Sequence, residues 1–178
     1  MSRRAQGLAG RAARLSILPL VLSCAASDSD AAGRLEAAWT GAESGAVRSP
    51  ATARWCPEGR FAEVVGASGD TGVAVALRQI DSLAPGRFSA VLPDSADTLA
   101  PSATVALRFL SRTTITGYRS DSGAVTVTRG ADGLLGVAFG VRARVPEAAA
   151  RISLHGRAGG LHVRKGGEEC ATTERGVE

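Results

Sequence analysis

The sequence predicts an all-β domain, an antiparallel β-sandwich of Ig-like or jelly-roll-like kind, placed behind an N-terminal signal segment. Three observations predict it. Short runs of alternating apolar and polar residues recur from residue 34 onward, and that period suits strands with one face buried. Gly- and Pro-bearing turn signals separate the runs: Pro57 to Gly59, Ser68 to Asp70, Ala84 to Gly86, Ser120 to Gly123 and Gly130 to Gly133. No segment sustains a helical period; Pro146 and the alanines after it suit one turn at most.

The leader comes first in the chain and must be removed before composition is read. Arg11 and Arg14 precede an apolar run over residues 15–22, which ends at Ser23 and Cys24. The run has about half of the ~20 residues that a membrane-spanning helix needs, and it contains Pro19. Val21, Leu22, Ser23 and Cys24 form a lipobox, with Leu22 bulkier than usual at its place. The domain expectation is therefore a lipoprotein signal peptide over 1–23, a flexible tether over 24–33 and a β-sandwich over 34–178. Ser2, Arg3 and Arg4 begin like a twin-arginine signal, but Gln6 and Gly7 stand where apolar residues belong. Ala25, Ala26 and Ser27 offer small residues for an ordinary cleavage site. Lipidation of Cys24 is the leading expectation, with export and a membrane anchor facing the periplasm or the cell exterior.

Cleavage before Cys24 leaves 155 residues, enough for one core. The whole chain has 21 basic and 17 acidic residues and a pI near 9.6. Four of the basic residues, Arg3, Arg4, Arg11 and Arg14, lie in the leader, which has no acid. The mature chain is neutral, and nucleic acid is not an expected partner. Lys165 is the single lysine among twenty arginines, a bias that a GC-rich coding sequence produces without any functional purpose. With Cys24 assigned to lipid, Cys56 and Cys170 remain as an even pair in an oxidising compartment, and a Cys56–Cys170 disulfide is expected.

In the mature chain, residues 24–33 are small and polar and suit a tether. Asp28 and Asp30 lack the remaining positions of a calcium loop. Leu35, Ala37 and Trp39 alternate with Arg34, Glu36 and Ala38 as a strand. Further strands are expected over 51–55, 60–67, 72–80, 86–92, 104–110, 114–118, 124–128, 134–145, 150–155 and 161–164. Val137, Phe139, Val141, Ala143 and Val145 share one face, with Arg142 and Arg144 opposite. The turns at Ser120 to Gly123 and Gly130 to Gly133 are expected to link three successive strands into a meander.

Three stretches carry a resemblance: Ser122-Gly-Ala-Val-Thr-Val-Thr128, Asp132-Gly-Leu-Leu-Gly-Val-Ala-Phe139 and Ile152-Ser-Leu-His-Gly156. Together they resemble a pattern of small, largely uncharacterised bacterial envelope lipoproteins. Trp55-Cys56 and Gly69-Asp-Thr-Gly72 are similar to members from GC-rich bacteria. The resemblance covers about half of the chain and implies an envelope β-sandwich without a stated activity. It departs at Ala158, where an aromatic residue is the pattern.

The search for chemistry yields little. No Gly-x-Ser-x-Gly elbow occurs, and Gly66-Ala-Ser-Gly69 and Glu43-Ser-Gly45 have the wrong spacing. The glycines of Gly66 to Gly72 match neither a dinucleotide fingerprint nor a P-loop. Asp94 and Asp97 fall in a loop and make no paired-carboxylate site. The sharpest candidates are His155 and His162, both predicted outward on strands; a hairpin over 156–161 would set them opposite each other, with Glu168 or Glu169 needed as a third ligand. Solvated strand histidines are the favoured reading, so no metal, no cofactor and no catalytic residue is assigned. The expected role is structural or interactive, with the membrane and other envelope proteins as partners and no enzymatic activity. A small-ligand or glycan-binding module is the alternative, and aromatics at 4% of the chain supply it with few platforms.

Overall fold

A computed structural model describes residues 33–78, 80–96, 101–111, 113–146 and 148–166. Ten strands follow in chain order: β1 Gly33–Gly41, β2 Gly45–Cys56, β3 Phe61–Ser68, β4 Thr71–Arg78, β5 Gly86–Ala90, β6 Ser102–Ser111, β7 Thr114–Arg129, β8 Leu135–Arg144, β9 Arg151–Leu161 and β10 Val163–Lys165. One short helical turn, α1 Pro93–Ala96, lies between β5 and β6. Among the described residues no helix is long and apolar enough to cross a membrane.

The all-β expectation holds, but the sandwich gives way to a closed barrel. The sheet runs β1-β9-β8-β7-β5-β6-β4-β3-β2 and returns to its start because β1 also pairs with β2, from Gly33↔Ala51 to Trp39↔Gly45. Nine strands thus form the ring. β10 continues past β9 and lies parallel to the far end of β2, Val163↔Ala53 to Lys165↔Trp55, crossing over the start of β1. Alternation cannot distinguish a barrel from a sandwich, since both bury every second side chain. What decides between them is whether the first strand finds neighbours on both sides, and β1 does, in β2 and β9.

The inward face is predominantly apolar. Leu35 and Ala37 of β1, Val73, Val75 and Leu77 of β4, Val105 and Leu107 of β6, Val137 to Ala143 at alternate positions of β8, and Ile152 and Leu154 of β9 join one core cluster. The outward positions between them are mixed: charged residues such as Arg34, Glu36, Arg142 and Arg144 stand among small ones such as Ala74, Ala138 and Gly140, and Val65 and Leu110 are also exposed. Near the β1–β2 turn the core is aromatic: Trp39 stacks on Phe109 at 5.8 Å and Phe109 on Tyr118 at 6.1 Å between ring centroids.

Two expected turns are corrected. Ser120 to Gly123 is no turn but a bulge inside the continuous β7, where the register to β8 shifts between Ser120 and Ser122. Here β7 changes neighbour, from β6 through Arg119 to β5 from Ala124. Ser120, fully buried, fills the junction: its Oγ accepts from the Val105 N–H at 2.9 Å and donates to the Val91 carbonyl at 3.0 Å. Gly123 has φ +122°, and a Cβ there would stand 2.3 Å from the Gly140 carbonyl oxygen, so turn-type composition serves a close strand approach. Residues 156–161 likewise make no hairpin. They continue β9, with a register shift opposite β8 between Leu135 and Val137. The meander thus keeps only its second turn, 130–134, between β7 and β8. Gly33, assigned to the tether from sequence, is the first residue of β1.

Candidate functional site

Side chains of the core cluster fill the barrel interior, so the surface open to other molecules is the outer face. Its geometry is set by cross-strand rows, because residues in register on neighbouring strands project to the same side. Glu36 of β1 stands opposite Arg48 of β2 and Arg157 of β9. Its carboxylate reaches both, at 3.6 Å to Arg48 Nε and 3.1 Å to Arg157 Nη2. The row beside it carries Ala46, Ala38, His155 and Gly140. Small side chains next to a charged row leave an open groove of about 470 Å³, whose walls include Glu36, Arg48, His155 and Arg157 and whose floor includes Ala38, Ala46 and Gly156.

A second outer row is entirely cationic. Arg119 of β7, Arg144 of β8 and Arg151 of β9 are successive register partners, and Arg142 lies two residues along β8 between Ser122 and Ser153. Asp121, displaced by the β7 bulge, meets Arg151 Nη1 at 3.1 Å. On β2, Arg54 opposes Glu63 of β3 and forms a part-buried pair with it, Arg54 Nε to Glu63 Oε2 at 2.8 Å, while parallel β10 sets Arg164 in register with Arg54 on its other side.

The charge of the chain is segregated along its length. Residues 33–166 hold sixteen basic and eleven acidic residues, while residues 167–178 hold four acids and one arginine. The neutrality of residues 24–178 therefore conceals a basic barrel. Sequence reading missed this because it summed the whole mature chain; counting by segment would have found it.

The histidines are placed far apart. His155 points outward on β9 opposite Gly140 and Ala38, and His162 is exposed after the strand ends. Because β9 is continuous, seven residues of extended chain separate them by roughly 20 Å, and they do not face each other. Among the described residues no group of three or more His, Cys, Asp or Glu side chains gathers as a metal site. Glu168, Glu169 and Asp97 lie outside the described residues, as do Cys24 and Cys170. Asp94 is exposed in α1. Gly66 to Gly72 forms the end of β3, a turn with Gly69 at φ +55°, and the start of β4.

Phe139 contributes to the lining of the groove beside Glu36, and among the described residues no aromatic side chain is exposed. Trp39, Phe61, Phe88, Phe109, Tyr118 and Phe139 are buried, and Trp55 is half-buried against the core. Tyr118 is the sole tyrosine of the chain. Burial, and secondarily the Glu43 carboxylate, push its phenol above the ordinary value near 10. A folded-state pKa raised above the unfolded one leaves stability intact below pH 10 and removes it as pH rises beyond that value. Phenolate absorbance, which reads this one residue, is expected to rise later in the folded protein than in urea. Glu43→Gln is expected to move the midpoint only part of the way back, since burial is the larger cause. Coincident folded and unfolded titrations would refute this.

The chain matches no protein-family model, no curated protein and no solved structure at a significant level.

Proposed function

We propose that this chain is an exported lipoprotein whose barrel acts by binding, without catalysis, at the cell envelope. The observation that carries the reading is the sequence Val21, Leu22, Ser23 and Cys24 behind a short apolar run, nine residues before the first strand of the barrel. In this reading Cys24 receives the lipid, and residues 24–32 span the distance to Gly33. More than one acyl chain gives a stable hold where a single chain is marginal. The outer face, with its groove at Glu36 and its arginine row, is the surface offered to partners, among them other envelope proteins.

The disulfide belongs to the same reading. Cys56 ends β2 and is 1% exposed. Gly166 donates its N–H to the Trp55 carbonyl at 2.8 Å, so the chain passes beside Cys56 four residues before Cys170. Cys170 is the proposed partner, and export to an oxidising compartment supplies the condition for the bond.

Expression with labelled palmitate tests the anchor. The wild-type protein is expected to take up label and to partition with membranes, and Cys24→Ser is expected to lose both. A Cys24→Ser protein that stays in the membrane fraction, or a wild type without label, overturns the proposal.

A further inference from the structure

The row Arg119, Arg144 and Arg151 is hard to account for by stability. Directly opposed like charges in antiparallel strands are destabilising, and here three strands in succession place arginine against arginine. In the other antiparallel pairs of the described barrel where arginine faces a charged residue, that residue is glutamate: Glu36 for Arg48 and Arg157, Glu63 for Arg54. Of the arginines in this row Asp121 pairs with Arg151, and it also accepts from the Ser122 hydroxyl at 3.0 Å. Among the described residues no carboxylate lies within ion-pair distance of Arg119, Arg142 or Arg144. Arg142 and Arg151 are exposed, and Arg119 and Arg144 are half-buried, their guanidinium groups carried on a rigid sheet rather than on a loop.

We infer that this face binds a polymer bearing closely spaced phosphates. Charge complementarity selects an anion, and the planar guanidinium fork suits the oxygens of a phosphate in paired hydrogen bonds. Neighbouring strands set the row's members about 5 Å apart, and Arg142 and Arg144 stand about 7 Å apart along β8. That array engages several phosphates of one chain at once, whereas a single small anion meets only one or two arginines. Ser122 and Ser153 flank Arg142; Ser153 adds a hydroxyl donor, while the Ser122 hydroxyl donates to Asp121 Oδ1 at 3.0 Å. Position distinguishes the polymer from the headgroups of the protein's own membrane. The row lies at the end of the barrel where β1 finishes and β9 begins, opposite the end where Gly33 joins the tether. This choice of ligand source rests on the proposed anchor; the phosphate chemistry does not.

The test uses the detergent-solubilised full-length protein and inorganic polyphosphate as probe, with binding followed by titration calorimetry at two salt concentrations. Arg119→Gln/Arg144→Gln is expected to bind at least about tenfold more weakly than wild type, the size of one lost charge-assisted contact or more. Arg34→Gln/Arg164→Gln removes the same charge at the opposite end and is expected to stay within about twofold. The row variant is expected to melt at or above the wild-type temperature, because repulsion is relieved. Absence of polyphosphate binding, or equal losses in both variants, overturns the proposal, and so does a lower melting temperature of the row variant. Binding to phosphatidylglycerol vesicles that depends on the row, stronger than binding to polyphosphate, overturns the choice of a polymer. Failure of Cys24 lipidation leaves the polyphosphate result unaffected, so the two proposals fail separately.

Discussion

Gly156→Val is expected to destabilise the barrel by about 3 kcal/mol or more, at the upper end of the penalties for overpacking. Gly156 occupies an inward position of β9 between Leu154 and Ala158. A Cβ on it would stand 2.5 Å from Phe139 Cζ, 2.6 Å from the Glu36 carbonyl oxygen and 2.9 Å from Ala37 Cβ. Two of those three neighbours belong to β1, so relief by moving the phenyl ring alone is insufficient. The β1–β9 pairing must open, and that pairing is part of what closes the ring. Gly159, three residues on, has nothing within 4 Å of its Cβ position; Gly159→Ala is therefore expected to stay within about 0.5 kcal/mol of wild type. Urea unfolding of the two variants separates a requirement for space at one position from a general dislike of side chains in this strand. Equal midpoints for Gly156→Val and wild type would contradict the geometry.

Loss of the proposed Cys56–Cys170 bond is expected to cost about 2–4 kcal/mol, less than the chain-entropy value of about 4.7 kcal/mol for a loop of comparable length, because denatured chains retain structure. For a domain of this size that corresponds to a fall of roughly 5–15 °C in melting temperature. The bond would staple the end of β2 to the segment after β10, a strand of only three residues. Reduction is thus expected to free β10 before the ring itself opens. Alkylation followed by mass spectrometry is expected to label neither Cys56 nor Cys170 before reduction and both after it. Labelling of both in the unreduced protein would remove the bond from consideration.

Alternation made most of the inward face legible: Val137, Phe139, Val141 and Ala143 are buried as their spacing requires, and Ile152 and Leu154 with them. Val145, which has the same spacing, is only partly buried because β8 ends at Arg144. Closure was not legible, since it depends on the partners of β1, and a strand pairs through backbone groups that every residue carries. The expected turns at Ser120 and Gly156 failed for one shared reason. Glycine and small polar residues mark any backbone that departs from regular extension, and a bulge or a close strand contact uses them as readily as a reversal. The strand expected over 51–55 is longer: β2 begins at Gly45, Pro50 within it is exposed, and its position pairs with Arg34. The arginine row needed register, which no local pattern contains: Arg144 and Arg151 flank the short β8–β9 connection, but Arg119 lies 25 residues before Arg144 and joins them only through the pairing of β7 with β8.

The place where β1 begins has a mechanical consequence. Gly33 enters the ring between β9 and β2, and both neighbours run antiparallel to β1 along nearly its whole length. A pull on the tether along the strand direction loads those two ladders together, in shear, so that no single hydrogen bond is at the front to be peeled. Gly33 is also tightly seated: a side chain there would press on the Gly159 carbonyl oxygen at 2.5 Å and on Leu161 Cδ2 at 2.7 Å. If the proposed anchor holds the chain at Cys24, the strand that would receive the tension is the strand that closes the barrel, and under load the domain would resist as a whole rather than unravel from its edge.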